Sequence, residues 1–438
     1  MEWWNDIWLN EGFARYMEFV SLEAVYPELK VEDHLLDTCF GAIGRDSLNS
    51  SRPISSLAEN PTQIKEMFDT VSYEKGACIL HMLRNFLTNE GFQNGIIRYL
   101  RRFRYSNARN EDLWDSLIKT CSEEDFTAGE YCYSSTQATK NAYRFAGEHI
   151  DLKKMMYTWT IQKGIPLITV KRQGRKLYIG QERFLKIVLP GDPSWHSLQK
   201  GIASSYTRQQ HSGSCLKPST KTTVVGVLIL VLVASMFMVI YFLPGCTFTR
   251  KGCQKTNSTM DSIYPISTSG ERFPWTELRL PPSVHPVHYN ISLHPNLALM
   301  TFQGCVSILV QVLHETKNIV LHSSDMNISK VTFEGKEVHV LEYKPWQQIA
   351  IKFPEDLKKG QYVLNINYTA KLSNSYDGFY NSSYVDTNGT KRVLAATQFE
   401  PLAARKAFPC FDEPAFKSTF TIKMTRERKY ISLSNMPK

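Results

Sequence analysis

The sequence predicts a multidomain α+β chain with a mostly helical first part, one membrane-spanning helix and an antiparallel β-rich last part. Three observations predict it. Apolar residues recur at helical spacing through 67–87 and 92–103. Residues 224–243 form an apolar run of twenty without a charge, about 30 Å of helix and the thickness of a bilayer's hydrocarbon core. Beyond residue 273, Tyr289, Ile291 and Leu293 alternate with polar partners, as do Tyr362, Leu364, Ile366 and Tyr368, and then Phe420, Ile422 and Met424. That is the period of half-buried strands.

In order, residues 1–160 read as helical, with Pro53 and Pro61 marking a loop. Residues 161–198 change to short strands (IPLITV, KLYIG, FLKIVL) and start a small β-domain. Residues 199–221, rich in Ser, Thr and Gln, form a polar juxtamembrane linker. The span occupies 222–243, a stalk 244–272 and a β-domain 273–438. A length of 438 residues suits about three domains, and 42% apolar with 21% charged residues excludes disorder. The +9 charge is spread along the chain. Its densest stretch, Arg98, Arg101, Arg102 and Arg104, reads as a solvated helix face, and no recognition motif accompanies it, so nucleic acid is not an expected partner. Nine cysteines without a CxxC pair exclude a cysteine-rich zinc module.

Six Asn-x-Ser/Thr acceptors follow residue 250 (Asn257, Asn290, Asn327, Asn367, Asn381, Asn388), against Asn49 alone before residue 220. Basic residues flank the span equally, Arg208, Lys217 and Lys221 against Arg250, Lys251 and Lys255, so charge does not orient it. The acceptors do, placing the C-terminal half in the lumen or outside the cell. MEWWNDIWLNEGF lacks the basic start and cleavage site of a signal peptide. The expectation is a single-pass type II protein of the plasma, endosomal or endoplasmic reticulum membrane, with residues 1–221 cytosolic.

Three places carry candidate chemistry. On a helix Trp4, Ile7, Trp8, Glu11 and Ala14 share one face, and a carboxylate on an apolar stripe needs a partner, either a buried Arg or Lys or a metal ion. Tyr73, in V-S-Y-E-K-G-A, reads by itself as a core residue with a satisfied hydroxyl, and Glu400, in T-Q-F-E-P-L-A-A-R-K-A-F-P-C-F-D-E-P, as a loop carboxylate. Asp412 and Glu413 read as structural turn residues before Pro414.

The run W-N-D-I-W-L-N-E-G-F-A resembles the third-ligand segment of the thermolysin-like zinc aminopeptidases of the alanyl-aminopeptidase and oxytocinase family. Residues 1–198 resemble the endoplasmic reticulum branch. Residues 203–438 resemble the membrane-anchored leucyl-cystinyl (oxytocinase) branch, with C-T-F-T-R-K-G-C at 246–253 and F-P-W-T-E-L-R-L at 273–280. The resemblance implies a partial thermolysin-like helical catalytic domain and an aminopeptidase N-terminal β-domain. It implies Glu11 as a zinc ligand, Tyr73 as the oxyanion donor, Glu400 as the binder of a substrate's α-amine and Gln398 as lining for the first side-chain pocket. It further implies a Cys39–Cys78 disulfide, with Cys121 and Cys132 a weaker pair, and peptide substrates.

Parts of the pattern are missing. None of the eleven histidines opens an HExxH: His314-Glu315 is followed by Asn318, and His285 and His288 lie in an extended, proline-containing segment. The Gly-Ala-Met-Glu-Asn motif is absent, so the Zn²⁺ site is incomplete. The β-rich part also follows the helical part, the reverse of the family's order, and Met1 falls inside a motif. The expectation is two related aminopeptidases joined near Lys200. The chain is then a zinc aminopeptidase by family that is unable to act alone, or else an inactive type II glycoprotein that binds peptides or other aminopeptidase chains. A third reading is that the shortened helical part fails to fold and leaves Trp3, Trp4 and Trp8 exposed.

Overall fold

The first regular helix, α1 (Trp8–Val25), follows a 3₁₀ turn at Trp4–Asp6. Its buried face is Trp8, Leu9, Gly12, Tyr16 and Phe19. Glu11 lies half-buried on the flank of that face and Ala14 is exposed, so the expected five-residue stripe is corrected: the chain turns after Trp4 and the helical phase is set from Trp8. The computed structural model describes residues 1–87, 89–118, 151–186 and 264–436, together with the backbone of 246–249 and 252–255. The helical part continues as α2 (Val31–Asp46), α3 (Pro61–Glu66), a π-helical turn (Val71–Lys75), α4 (Gly76–Leu87), α5 (Asn89–Arg102), α6 (Asn110–Ile118) and α7 (Leu152–Ile161). Asn60 caps α3 by accepting the Gln63 N–H at 2.9 Å, and Pro61 occupies the first helical position, where its missing N–H costs nothing.

Trp8 is fully buried, stacked on Trp114 at 5.8 Å and donating through Nε1 to Asn110 Oδ1 at 2.8 Å. Trp4 is also buried, so the tryptophan-rich start forms core rather than an exposed patch. The basic stretch is corrected in one place. Arg98 is buried and donates to the Ser116 carbonyl at 2.7 Å, while Arg101 and Arg102 face solvent.

A hairpin, β1 (Pro166–Gln173) with β2 (Lys176–Arg183), follows α7. Beyond it, β3 (Cys246–Thr249) pairs antiparallel with β4 (Gly252–Lys255). The β-rich part holds β5 (Val284–Asn296), β6 (Thr301–Val312), β7 (Thr316–His322), β8 (Met326–Phe333), β9 (Lys336–Glu337), β10 (Val340–Tyr343), β11 (Gln348–Leu357), β12 (Gly360–Lys371), β13 (Gly378–Val385), β14 (Lys391–Gln398) and β15 (Thr419–Met424). They form a six-stranded sheet in the order β15-β5-β6-β12-β8-β9, a three-stranded sheet β10-β11-β7 and a hairpin β13-β14. Val306, Ile308, Leu364 and Ile366 of the first sheet share one apolar core with Leu321 and Ile351 of the second. The alternations at Tyr289–Leu293 and Leu364–Tyr368 point into it. Two details differ from expectation. β15 pairs parallel to β5, and Phe420 and Ile422, although in register with buried Tyr289 and Ile291, stay 52% and 60% exposed on this edge strand.

The chain divides into two compact units. One comprises Met1–Thr169, Gln181–Ile202 and Tyr264–Lys438, the other Val170–Gly180 and Ala203–Ile263. The helical part and the β-rich part therefore belong to the same unit, which corrects the expected topology. Asn107 Nδ2 donates to the Pro414 carbonyl at 2.7 Å and Lys417 Nζ to the Ser106 carbonyl at 2.6 Å. Contacts of that length leave no room for a bilayer between the parts. Among the described residues no helix is long and apolar enough to cross a membrane. The expected span at 222–243, like Cys121 and Cys132, lies outside the described residues. The fold class is corrected accordingly: among the described residues it is a helical part and a β-rich part packed as one unit with no membrane helix, and the type II placement that set them on opposite sides of a bilayer falls with it.

Cys39 of α2 and Cys78 of α4 are joined by a disulfide, with Cα atoms 5.7 Å apart and a separation of 39 residues. Closing a loop of that length removes entropy from the unfolded chain. Reduction is expected to cost about 4 kcal/mol, seen as a lower urea midpoint. An unchanged midpoint contradicts it.

Candidate functional site

Glu11 and Tyr73 meet because two helices touch through glycines. A Cβ on Gly12 would lie 2.8 Å from the Ser72 carbonyl oxygen and 2.9 Å from the Gly76 Cα, and one on Gly76 would lie 3.0 Å from the Gly12 Cα. Only hydrogen fits at either position, so α1 crosses the start of α4 backbone to backbone. This accounts for the glycine following Glu11 and the glycine three residues after Tyr73. At that crossing burial, and after it the neighbouring carboxylates of Glu11 and Glu400, hold the Tyr73 phenol's proton and raise it above the ordinary tyrosine range. Among the described residues no lysine or arginine forms an ion pair with Glu11.

Other residues of the same motif hold the frame. Asn5 Oδ1 accepts the Ala58 N–H at 3.0 Å. Asp6 Oδ1 accepts from Ser55 Oγ at 2.6 Å and Asn110 Nδ2 at 2.7 Å, and burial raises the Asp6 carboxyl against these bonds.

Glu400 arrives from the other end of the chain. Leu402 is buried among Trp4, Ile7, Ala58, Ile64 and Met67 of the helical part. The loop that carries it brings Glu400 close enough to Glu11 for their charges to interact. Desolvation pushes Glu400 above the usual carboxylate range, Glu11 adds to the shift and the Met1 amine opposes it. Glu400 nonetheless remains solvent-accessible, which suits a group meant to meet a ligand. Gln398 is exposed, and its Nε2 donates to the Glu400 carbonyl at 3.0 Å, tying down the loop. Glu400 edges a cleft of about 380 Å³ whose walls include Trp4, Asn10 and Asn107 on one side and Phe399, Phe411 and Phe416 on the other.

The rest of the 397–414 motif is structural. Arg405, 2% exposed, donates to Asp412 Oδ2 at 2.8 Å and to the Asp412 carbonyl at 3.0 Å. His322 Nδ1 accepts the Asp412 N–H at 3.3 Å, and burial pulls that imidazole well below its ordinary value. Glu413 Oε1 accepts the Leu280 N–H at 2.5 Å, and Arg279 lies 3.8 Å from the other oxygen. Arg279 in turn covers the Trp3 ring at 4.6 Å, linking the two parts.

A zinc ion requires three protein ligands and an open position. Glu11 is one carboxylate. The sequence holds no HExxH, and among the described residues no three His, Cys, Asp or Glu side chains gather as a metal site. The donor set of this chain does not fit a resident zinc ion.

Of the candidate groups, Glu400 edges the aromatic-walled cleft. Residues 1–134 match the Peptidase family M1 domain and residues 285–438 the Peptidase M1 N-terminal domain. These two segments resemble M1 peptidase domains, and they stand in the reverse of the order that the second one's name implies. It is 60% identical over 200 residues to endoplasmic reticulum aminopeptidase 2 of Bos taurus, covering 46% of this chain and 21% of that protein. Over 186 residues it is 50% identical to endoplasmic reticulum aminopeptidase 1 of Homo sapiens (42% and 20%), and over 195 it is 34% identical to aminopeptidase M1 of Arabidopsis thaliana (44% and 19%). The chain thus spans about a fifth of the length of these relatives.

Burial raises the Glu413 carboxyl to about 7. An unfolded glutamate, near 4.5, releases the proton that folded Glu413 keeps. Stability from this group is therefore complete below about 4.5 and is lost as pH rises through about 7, by up to about 3 kcal/mol. Urea midpoints are expected to fall across that window and to fall less in Glu413→Gln. Equal pH slopes in the two proteins contradict this.

Proposed function

We propose that this chain carries the substrate-facing part of a zinc aminopeptidase site and that, alone, it holds the amino terminus of a peptide without cleaving it. The observation that carries the reading is Glu400 at the edge of an aromatic-walled cleft, within electrostatic reach of Glu11. Two carboxylates whose charges oppose each other favour a cation between them, and a peptide's α-ammonium supplies three donors to such a pair. Glu400 takes the ammonium. Gln398, through the Glu400 carbonyl, sets the loop that presents it. The aromatic walls receive the first side chain. Tyr73, kept neutral, offers its hydroxyl where negative charge would develop on a scissile carbonyl, a role that contributes a few kcal/mol in comparable sites.

Glu11 would act as one zinc ligand in a site whose histidines this chain does not supply. No hydrolytic step is therefore assigned to it. The segment order supports a join near Lys200 between the middle of one aminopeptidase and the beginning of a related one. A binding module is the reading that needs nothing beyond the residues present.

The test compares a short free-amine peptide with its N-acetylated form by calorimetry. The free peptide is expected to bind, with Glu400→Ala weakening it at least tenfold (about 1.4 kcal/mol), and the acetylated form not to bind. Equal affinity for both peptides, or no effect of Glu400→Ala, contradicts the reading.

A further inference from the structure

Three of the glycosylation acceptors meet on one surface of the six-stranded sheet. Each lies inside a strand: Asn290-Ile291-Ser292 on β5, Asn327-Ile328-Ser329 on β8 and Asn367-Tyr368-Thr369 on β12. A strand turns alternate residues to opposite faces. The middle residue of each triplet therefore points toward the core, with Ile291 and Tyr368 buried and Ile328 half-buried, while asparagine and hydroxyl share the outer face and are exposed.

The pairing register gathers them. Asn367 lies opposite Cys305 of β6 and Lys330 of β8, Asn327 opposite Thr369, and Asn290 opposite Ser307 of β6. Asn327 and Asn367 are thus diagonal neighbours, about 7–8 Å apart. Asn290 stands two strands from Asn367, about 12 Å away at the usual strand spacing. Among the described residues none of the three amide nitrogens donates to a protein group; Asn290 uses only its oxygen, 3.3 Å from His288 Nε2. The cleft is lined from the opposite face of β5, by the core-facing Tyr289 and by Phe420 beside it.

The other acceptors of this part differ. Asn388 is exposed at the tip of the β13–β14 hairpin, where Asp386 Oδ1 accepts its backbone N–H at 3.0 Å and leaves its side chain clear. Asn381 is half-buried, and its Nδ2 spends both hydrogens, on the Ser373 carbonyl and on Asn374 Oδ1, each at 2.9 Å. A sugar on that nitrogen would displace one of these bonds. Asn257 lies outside the described residues.

We propose that Asn290, Asn327 and Asn367 make the outer face of the six-stranded sheet a glycosylated surface, that Asn388 carries a further glycan and that Asn381 carries none. Each amide nitrogen attacks the anomeric carbon of an oligosaccharide held on a lipid diphosphate. The carbon–nitrogen bond forms, the bond from that carbon to the phosphate oxygen breaks, the lipid diphosphate leaves and the amide gives up one proton. Such transfer belongs to the secretory route, where disulfides persist, and the Cys39–Cys78 bridge lies in the same compact unit as the sheet.

The full chain is made in cultured animal cells and treated with peptide N-glycosidase in heavy-oxygen water, which leaves an isotope-marked aspartate wherever a glycan stood. A digest without the glycosidase gives the background. Mass spectrometry is expected to find marks at Asn290, Asn327, Asn367 and Asn388 and background at Asn381. Ser292→Ala, which leaves the asparagine in place, is expected to erase the mark at Asn290 alone. Background at any of the four asparagines in the native chain, or a mark at Asn381, overturns the proposal.

Discussion

Leu402 packs against Trp4, Ile7, Ala58, Ile64 and Met67, and Glu400 faces Glu11 only because it does. Burying a leucine side chain contributes about 2 kcal/mol, enough to seat a loop that hydrogen bonds then aim. Those bonds run from Asn107 to Pro414 and from Lys417 to Ser106, joining residues more than 300 positions apart. The order in which the two parts occur along the chain does not enter this packing. Surfaces that are complementary meet whichever precedes, provided the connection reaches.

The same economy operates within each part. Gly12 and Gly76 hold no side chain so that Glu11 and Tyr73 can face each other. Asp412 and Glu413 spend their carboxylates on Arg405 and on the Leu280 N–H, folding the strand-to-loop passage that ends at the cleft. Glu11 and Glu400 both help to hold the Tyr73 proton, and Glu11 also raises Glu400.

The alternations at Tyr289–Leu293 and Leu364–Tyr368 were legible because a strand's period records which face is buried. At Phe420 and Ile422 the same period marks the face shared with Tyr289 and Ile291, but period does not record that an edge strand is covered less. Glu11, Tyr73 and Glu400 were found through motif resemblance, and periodicity alone put Glu11 on a stripe that begins four residues later. The topology failed for a physical reason. Glycosylation acceptors were taken to separate two compartments, but local pattern carries no record of packing between residues 1–10 and 400–417.

The central claim is that helical and β-rich parts of one chain close on each other around the Glu400 loop. Its most direct measurement is a photo-reactive amino acid at Asn107, followed by mass spectrometry of the cross-linked peptides. The account predicts intramolecular links into residues 399–417. Links confined to residues 1–186, or none to the β-rich part, would contradict it.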